Sequence, residues 1–304
     1  MGRRYNLVRM RHPARSVILA LILNLALTGC ANSGGAGGTP GVPSTTIENK
    51  GSDTMVNLAL AWAEAYQAQR PAVRISVTGG GSGTGIAALI NGTLDLANAS
   101  RQIKDEERQE AEANGVAPVE VVVARDAIAI VVNPANPVDQ LTIAQISDIY
   151  SGRINNWAEV GGEDRPIVRL SRETNSGTHV YFLEQVLRGG ASDDSTLFSP
   201  TTLLLPSSEG ISAEIRQNPN AIGYDGLGYV TPDMKVVAVA PTPEGPFTYP
   251  SPETVNAGTY AIARDLYIYT NGEPQGEVAS YLEWILGPEG QAIVTELGFV
   301  PITP

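Results

Sequence analysis

Apolar residues recur at helical and strand spacings along most of the chain, beginning near residue 47. The first helix is predicted from five apolar residues spaced i, i+3, i+4, i+7 and i+11 and closed by Pro71: Met55, Leu58, Ala59, Trp62 and Tyr66. The alternating residues 73–77 predict a strand. A glycine-rich turn then leads into a second predicted helix that carries Ile86, Leu89 and Ile90 and stops at Asn91-Gly92.

A third strand–loop–helix unit is predicted between residues 167 and 190. Residues 167–170 form its strand and residues 171–177 its loop. Its helix ends at Gly189-Gly190 and presents Val180, Leu183 and Leu187, with Phe182 and Val186 beside them. Strands that alternate with helices indicate an α/β fold with largely parallel sheets.

Two long extended segments, residues 119–133 and 258–271, depart from this alternation, and each contains the tripeptide Ala-Arg-Asp. We interpret them as two crossings between two α/β lobes. Lobe 1 would comprise residues 47–125 plus 256–304, and lobe 2 residues 126–255. The alternative, in which both segments are core strands of one domain, is less consistent with the usual domain size of about 100–150 residues.

The N-terminal residues follow a different pattern. Five arginines precede the apolar residues 17–27, and Thr28-Gly29-Cys30 follow. A membrane-spanning helix needs about 20 apolar residues, so residues 1–29 are predicted to be a signal peptide. "LTGC" resembles a bacterial lipobox, which implies lipidation of Cys30, and residues 30–46 have the composition of a flexible tether. A buried helix with a chance cysteine, or export through the Arg3-Arg4 pair, are the alternatives.

Composition and charge limit the possible functions of the 304-residue chain, which is 42% hydrophobic. Removing residues 1–29 takes away five arginines and no acid, which changes the formal net charge from −12 to −17. Such acidity argues against nucleic-acid binding and against adsorption to anionic lipid, so membrane attachment is expected only through the lipid. Cys30 is the only cysteine, and His179, expected to be a partly exposed helix residue, is the only histidine outside the signal peptide. We therefore expect no metal, no cofactor and no enzyme activity, in a monomer.

Candidate chemistry concentrates in the loops before three helices, where small hydroxylic residues and glycines cluster at 52–54, 82–85 and 176–178. Unpaired N–H groups at helix starts attract anions, glycine permits close approach, and hydroxyl groups add donors. Arg101 and Arg172 would add guanidinium groups suited to an oxyanion. Each feature has a simpler alternative: helix caps worth about 1 kcal/mol for the hydroxyls, an ion pair with Glu173 for Arg172, and a solvated surface charge for Arg101. P-loop, dinucleotide and nucleophile-elbow patterns are not matched.

Six segments in this order resemble the phosphate-binding lipoproteins of bacterial phosphate ABC importers (PstS-type): "GSDTM", "GGGSGTGI", "IYSGRINNWAEVGGEDRPI", "RETNSGTHVYF", "NAIGYDGLGYV" and "GPEGQAIVTELGFVPIT". The resemblance spans about residues 47–302. It implies a periplasmic-binding-protein-like type II fold, with an interlobe cleft that holds inorganic phosphate for an ABC permease. The implied ligands are Thr54, the Met55 backbone N–H, Ser82, Arg172, Ser176, Gly177 and Thr178.

The chain departs from this family at the position where many members carry a carboxylate that accepts the proton of hydrogen phosphate. Ser100-Arg101 stand there instead. We hypothesise that Asp53 takes the acceptor role, although it could simply cap a helix. Ser52, Asp53, Ser100 and Arg101 complete the predicted ligand set.

Several functions outside phosphate import are compatible with the same residues. The cargo could be sulfate, molybdate, tungstate or a phosphorylated small molecule. A phosphatase that uses a cleft serine, and a sensor or adhesin without a transport role, are further alternatives. In each case we expect an extracytoplasmic protein, in the periplasm or at the cell surface, held at a bacterial membrane by its lipid.

Overall fold

A computed structural model describes residues 45–302 of the chain. The predicted signal peptide, Cys30 and the predicted tether as far as residue 44 lie outside the described residues. Thr45 and Thr46, which the prediction assigned to the tether, already belong to the first strand. Among the helices of residues 45–302, none combines the length and apolarity that crossing a bilayer requires.

Ten strands form one connected sheet system within residues 45–302: β1 Thr45–Gly51, β2 Val73–Thr78, β3 Leu96–Ala99, β4 Pro118–Val132, β5 Gln140–Thr142, β6 Val168–Arg172, β7 Leu203–Leu205, β8 Ala221–Gly226, β9 Lys235–Ala240 and β10 Ala263–Asn271. The main path runs β2-β1-β3-β10-β4-β8-β6-β7, and β9 joins β4 to β5. All antiparallel pairs involve β4 or β10, whereas the other pairs are parallel. The expectation of largely parallel sheets is therefore wrong for the middle of the sheet.

Helices pack against both faces of this sheet. In the described residues they are α1 Val56–Gln69, α2 Ser82–Ile90, α3 Asp105–Ala113, α4 Ile143–Ser151, α5 Gly177–Phe182, α6 Ser208–Gln217, α7 Pro252–Asn256, α8 Gly276–Leu286 and α9 Pro288–Glu296. Short 3₁₀ turns cover Asp53–Met55, Trp157–Val160 and Leu227–Tyr229, and a π-helical turn covers Leu183–Leu187. The helices predicted after the first two loops are confirmed as α1 and α2.

The first of the two long extended segments forms a single 15-residue strand, β4, over Pro118–Val132. Nine of its first ten residues pair with β10, with a bulge at Val123, and its last five pair with β8, so its two halves face different partners. Val123 and Ala124 pack in one apolar core, with Trp62 and Tyr281. Ile128 and Ile130 pack in another. The second predicted extended segment was too long, because residues 258–262 form a turn and β10 begins at Ala263.

The apolar face of the third predicted helix is rotated from its expected position. His179, Phe182 and Val186 are buried, whereas Val180 and Leu183 are only partly buried. Leu187, the last residue of the predicted face, is buried as expected, within the π-helical turn that continues α5. The expectation that His179 is partly exposed is wrong: it is 7% exposed, and its ring stacks on Phe198 with centroids 4.5 Å apart.

Candidate functional site

The three predicted loops converge because they follow strand ends on the same side of the sheet. β1, β2 and β3 run parallel and end at Gly51, Thr78 and Ala99, so the segments that follow them leave the sheet along one edge. The loop after β6 reaches the same place, because Thr178 contacts Thr54 and Ser100. Four hydroxyl residues, one from each segment, form a group that we call the hydroxyl cluster: Thr54, Ser82, Ser100 and Thr178.

The hydroxyl cluster is linked by short contacts and is almost completely shielded from solvent. The Oγ1 atoms of Thr54 and Thr178 are 2.7 Å apart, and the Oγ atoms of Ser82 and Ser100 are 3.3 Å apart. Ser100 Oγ lies 3.5 Å from Thr178 Oγ1, and its backbone N–H donates to Ser82 Oγ at 3.0 Å. Hydroxyl groups that rotate freely can all turn their protons toward one acceptor.

Gly177 permits this close arrangement. A Cβ atom at this position would lie 2.7 Å from Ser100 Oγ and 2.8 Å from Ser82 Cβ, closer than real Cβ atoms approach their neighbours. Two residues earlier, the backbone carbonyl of Asn175 accepts a hydrogen bond from Gly83 N–H at 3.0 Å, and the Asn175 side-chain amide donates to Gly80 O at 2.8 Å. The loop after β6 therefore contacts the glycine-rich loop before α2 directly.

Arg172 is fully buried at the end of β6. Its Nη2 donates to Asp53 Oδ2 at 3.0 Å and to Pro206 O at 2.9 Å, and its Nη1 donates to Ser208 Oγ at 2.9 Å. Its Nε has no hydrogen-bond acceptor among the described residues. Leaving a buried charged donor unpaired is costly, so this nitrogen is the natural partner of a ligand oxygen.

Asp53 and Arg172 form an ion pair that joins two of the predicted loops. Asp53 is 17% exposed, and its second oxygen, Oδ1, accepts from Gly80 N–H at 2.9 Å. Arg172 therefore does not pair with Glu173, as the simpler alternative supposed. A second buried carboxyl group, Asp225, lies near Arg172 and Ser208, and burial raises its pKa to about 7 while Ser208 and Arg172 oppose the rise.

A buried ion pair that the sequence analysis did not identify completes the cluster. Arg264 Nη2 donates to Asp126 Oδ2 and to Thr178 Oγ1, both at 2.9 Å, and its Nη1 donates to Ser100 O at 2.8 Å. Arg264 lies on β10 and Asp126 on β4. This guanidinium, rather than that of Arg101, is hydrogen-bonded to the hydroxyl cluster.

The signal for this pair was present in the sequence as the repeated Ala-Arg-Asp tripeptide. Two such tripeptides on antiparallel strands place each arginine opposite the aspartate of the other strand. The observed register is Arg264 opposite Asp126 and Asp265 opposite Arg125. Because neighbouring residues point to opposite faces of a sheet, the first pair is buried in the site and the second is partly exposed, at 3.5 Å.

Arg101 has a different partner from the one predicted. Its Nη1 and Nη2 donate to both carboxylate oxygens of Glu107 at 2.8 and 2.7 Å, and the residue is buried rather than solvated. No hydrogen bond within residues 45–302 joins its side chain to the other predicted ligands. Arg101 and Arg264 do line the same open cavity of about 620 Å³, beside Lys104, Tyr181 and Glu184.

The remaining predicted residues lie in the loops as expected, with local roles of their own. Ser52 is buried and its carbonyl accepts from Met55 N–H at 3.1 Å, so the Met55 donor implied by the resemblance is engaged in the 3₁₀ turn. The Met55 side chain lies in the core. Ser176 Oγ accepts from His179 N–H at 3.4 Å and caps α5.

His179 contacts Ser171 of β6, and no hydrogen bond among the described residues joins it to the hydroxyl cluster. Its Nδ1 is 3.0 Å from Ser171 Oγ, which is itself 2.6 Å from the hydroxyl of Tyr224. Burial lowers the pKa of His179 to about 4. A hydrogen bond with the Arg172 backbone raises this pKa by a smaller amount, and the charge of Arg172 lowers it, so the imidazole is neutral at pH 7. Within residues 45–302, no three side chains of His, Cys, Asp or Glu are grouped as metal ligands would be.

The chain matches a family model described as a PBP superfamily domain over residues 35–289. The phosphate-binding protein PstS of Pseudomonas aeruginosa is 34% identical to it over 276 residues, which cover 85% of this chain and 84% of that one. PstS of Bacillus subtilis is 31% identical and covers 86% and 82%.

Solved structures give the same relationship. A Clostridium perfringens protein, described as a phosphate ABC transporter substrate-binding protein and solved with bound phosphate, superimposes with a TM-score of 0.76 at 32% identity, covering 85% of this chain and all of that one. An ABC-type phosphate transport receptor from Vibrio cholerae superimposes with a TM-score of 0.66 at 28% identity, covering 84% and 99%.

Proposed function

The chain belongs to the PBP superfamily and, within it, to the PstS-type phosphate-binding proteins, and from this premise we propose that it captures inorganic phosphate at the hydroxyl cluster. This membership confirms the predicted fold class, a periplasmic-binding-protein-like type II α/β fold. It also confirms that the chain is a binding protein rather than an enzyme.

One observation supports phosphate as the ligand above all others. The fully buried guanidinium of Arg172 keeps its Nε without an acceptor among the described residues, and its ion-pair partner Asp53 directly precedes Thr54, one of four buried hydroxyl residues drawn from four separate segments. A tetrahedral oxyanion presents several acceptor oxygens within one small volume, so it would satisfy these donors together. The N-terminus of the nine-residue helix α2, which begins at Ser82, adds further attraction for an anion.

We propose that the anion binds between two lobes, with residues 47–125 plus 256–304 in one and 126–255 in the other. In this division β4 and β10 are the crossing strands. The contacts Thr54–Thr178, Asp53–Arg172 and Asn175–Gly80 would each join one lobe to the other. An anion bound among these residues would favour the closed arrangement of the lobes.

The wider biological role follows from this proposal and from the N-terminal sequence. A signal peptide over residues 1–29 and a lipid on Cys30 would place the protein outside the cytoplasm, attached to the membrane through a short tether. The closed, loaded protein would then deliver phosphate to the permease subunits of an ABC transporter. One acyl chain alone anchors a protein weakly, and lipoprotein processing supplies more than one.

Isothermal titration calorimetry tests the proposed ligand. The secreted protein with Cys30→Ser, which prevents lipidation, is titrated with phosphate, sulfate and molybdate. We expect one phosphate per chain, bound more tightly than either of the other anions. Absence of phosphate binding, or tighter binding of sulfate or molybdate, would contradict the proposal and favour a different cargo.

A further inference from the structure

The structure raises the question of which group accepts the proton that distinguishes hydrogen phosphate from sulfate. At neutral pH hydrogen phosphate retains one proton and sulfate retains none. An ionised carboxylate, which only accepts hydrogen bonds, therefore favours the first and repels the second. Ser100 and Arg101 supply no carboxylate. Asp53 is partly exposed, and its two oxygens accept from Gly80 N–H and from Arg172, which are not part of the hydroxyl cluster.

Asp126 is a carboxylate that directly adjoins the hydroxyl cluster. It is fully buried, and its Oδ2 accepts from Arg264 Nη2, the same nitrogen that donates to Thr178. A Cβ atom on Gly226 would lie 3.0 and 3.1 Å from the two oxygens of Asp126 and 3.1 Å from Thr54 Cγ2. The carboxylate and the Thr54 methyl group thus both lie about 3 Å from one point beside Gly226.

The hydrogen bonds of Asp126 leave it able to accept a further proton donor. Oδ2 accepts from Nε and Nη2 of Arg264, Oδ1 accepts one bond of 3.1 Å from Leu227 N–H, and Ala127 N–H makes a weaker contact with the carboxyl group. A carboxylate oxygen has two lone pairs, so Oδ1 has capacity for one donor more. Because the group is shielded from solvent, that donor must belong to the cluster or to a ligand within it.

The ion pair also keeps Asp126 ionised. Burial raises the pKa of Asp126, and the charge and hydrogen bonds of Arg264 oppose that rise. Protonating the carboxyl group would leave the guanidinium of Arg264, itself buried, without a counter-charge, and an uncompensated buried charge is strongly unfavourable. The charged form is therefore the one that the pair stabilises.

Building on the proposed function, we propose that Asp126, held by Arg264, is the residue that accepts the hydrogen-phosphate proton and so discriminates against sulfate. Asp225 is the alternative acceptor, because its buried Oδ2 has no hydrogen-bond partner among the described residues, but no hydrogen bond links it to the hydroxyl cluster, whereas Asp126 shares Arg264 with Thr178. Asp53 provides the counter-charge of Arg172, and this ion pair joins the segment after β1 to the end of β6.

Three matched substitutions test this assignment: Asp126→Asn, Asp53→Asn and Asp225→Asn, each in the secreted Cys30→Ser protein. Calorimetry measures phosphate and sulfate dissociation constants at slightly alkaline pH. An amide at position 126 donates where the carboxylate accepted. We therefore expect phosphate affinity to fall by about tenfold or more, which corresponds to one hydrogen bond with a charged group, while sulfate affinity is unchanged or higher. The other two variants should keep the ratio of the two constants within about threefold of the wild-type ratio.

The outcomes separate the possible errors. A purely structural role of Asp126 would weaken phosphate and sulfate binding equally, and an unchanged ratio in Asp126→Asn would overturn the assignment. A collapsed ratio in Asp53→Asn or Asp225→Asn alone would transfer the role to that residue. If thermal denaturation shows that Asp126→Asn is not folded, Asp126→Glu is measured in its place. This variant keeps the charge and displaces the carboxylate oxygens by one methylene. An unaltered ratio of the phosphate and sulfate dissociation constants in this variant also overturns the assignment. If wild-type protein binds no phosphate, the proposed function itself fails.

Discussion

The substitution Gly177→Ala tests whether the loops from both halves of the fold jointly hold the ligand. Gly177 begins α5 with an ordinary helical backbone, so alanine is compatible with its conformation. The added Cβ would lie 2.7 Å from Ser100 Oγ and 2.8 Å from Ser82 Cβ, whereas ordinary contacts begin at 3.4 Å. Ser82 and Ser100 must therefore move away from the loop after β6 by at least about 0.6 Å.

This displacement should affect binding much more than folding. If the two serine hydroxyls can no longer reach the anion together, two hydrogen bonds with a charged group are lost, at about 1.5 kcal/mol or more each. The affinity for phosphate should then fall by about a hundredfold or more. In the free protein the overlap costs about 1–3 kcal/mol, and the preference of a helix for alanine over glycine, about 0.5–1 kcal/mol, offsets part of it, so the free energy of unfolding should fall by at most about 2 kcal/mol.

Calorimetry with phosphate, together with thermal unfolding of the free protein, separates these effects. Gly210→Ala is the matched control, because Gly210 also lies in the first turn of a helix, α6, and its added Cβ would meet nothing closer than 3.5 Å. The control should bind phosphate as the wild type does. A Gly177→Ala protein whose dissociation constant stays within threefold of the wild-type value would refute the reasoning that these loops close on the ligand together.

Three further predictions concern residues at and beyond the cluster. Arg172→Ala should weaken phosphate binding by at least about tenfold, measured by calorimetry, while Arg74→Ala on the exposed face of β2 should have no effect. The lowered pKa of His179 means that the unfolded chain gains a proton near pH 6.5 and the folded chain only near 4, so stability should fall as pH decreases between these values, by up to roughly 3 kcal/mol. Denaturant unfolding at two pH values should show a smaller fall in the free energy of unfolding for His179→Phe than for the wild type. An equal fall in the two proteins would contradict the assignment of this pH dependence to His179. Cys30→Ser should move the protein from the membrane fraction to the soluble extracytoplasmic fraction; unchanged membrane association would exclude lipidation as the anchor.

Local sequence patterns were sufficient to predict the loops of the site. Glycines and hydroxyl residues before predicted helices marked the segments around Thr54, Ser82 and Thr178, and the structure brings these three side chains together. This succeeded because a helix start is a local feature, set by residues within one turn. The convergence of the loops follows from parallel strands, which the alternating pattern also predicted correctly for β1, β2 and β3.

The features that depend on distant pairing were not predicted. Arg264 and Asp126 are separated by 138 residues and meet only because β4 and β10 are antiparallel neighbours in one register. Arg101 was predicted as a ligand from its position after a strand, but Glu107, six residues later at the start of α3, binds its guanidinium. The burial of His179 depends on Phe198, nineteen residues later, whose ring stacks on the imidazole.

The balance of charge around the cluster explains how so acidic a chain could bind an anion. The predicted processed chain carries a formal charge of −17, yet Arg172 and Arg264 are buried beside the hydroxyl cluster, each facing one aspartate. Surface charges farther away than the Debye length of about 8–10 Å are largely screened at physiological ionic strength. The local site is thus close to neutral and rich in hydrogen-bond donors, so it would select its ligand by donor geometry and not by net attraction. In such a site a single acceptor, as we propose for Asp126, is sufficient to separate two oxyanions of the same shape and charge, because they differ only in a proton.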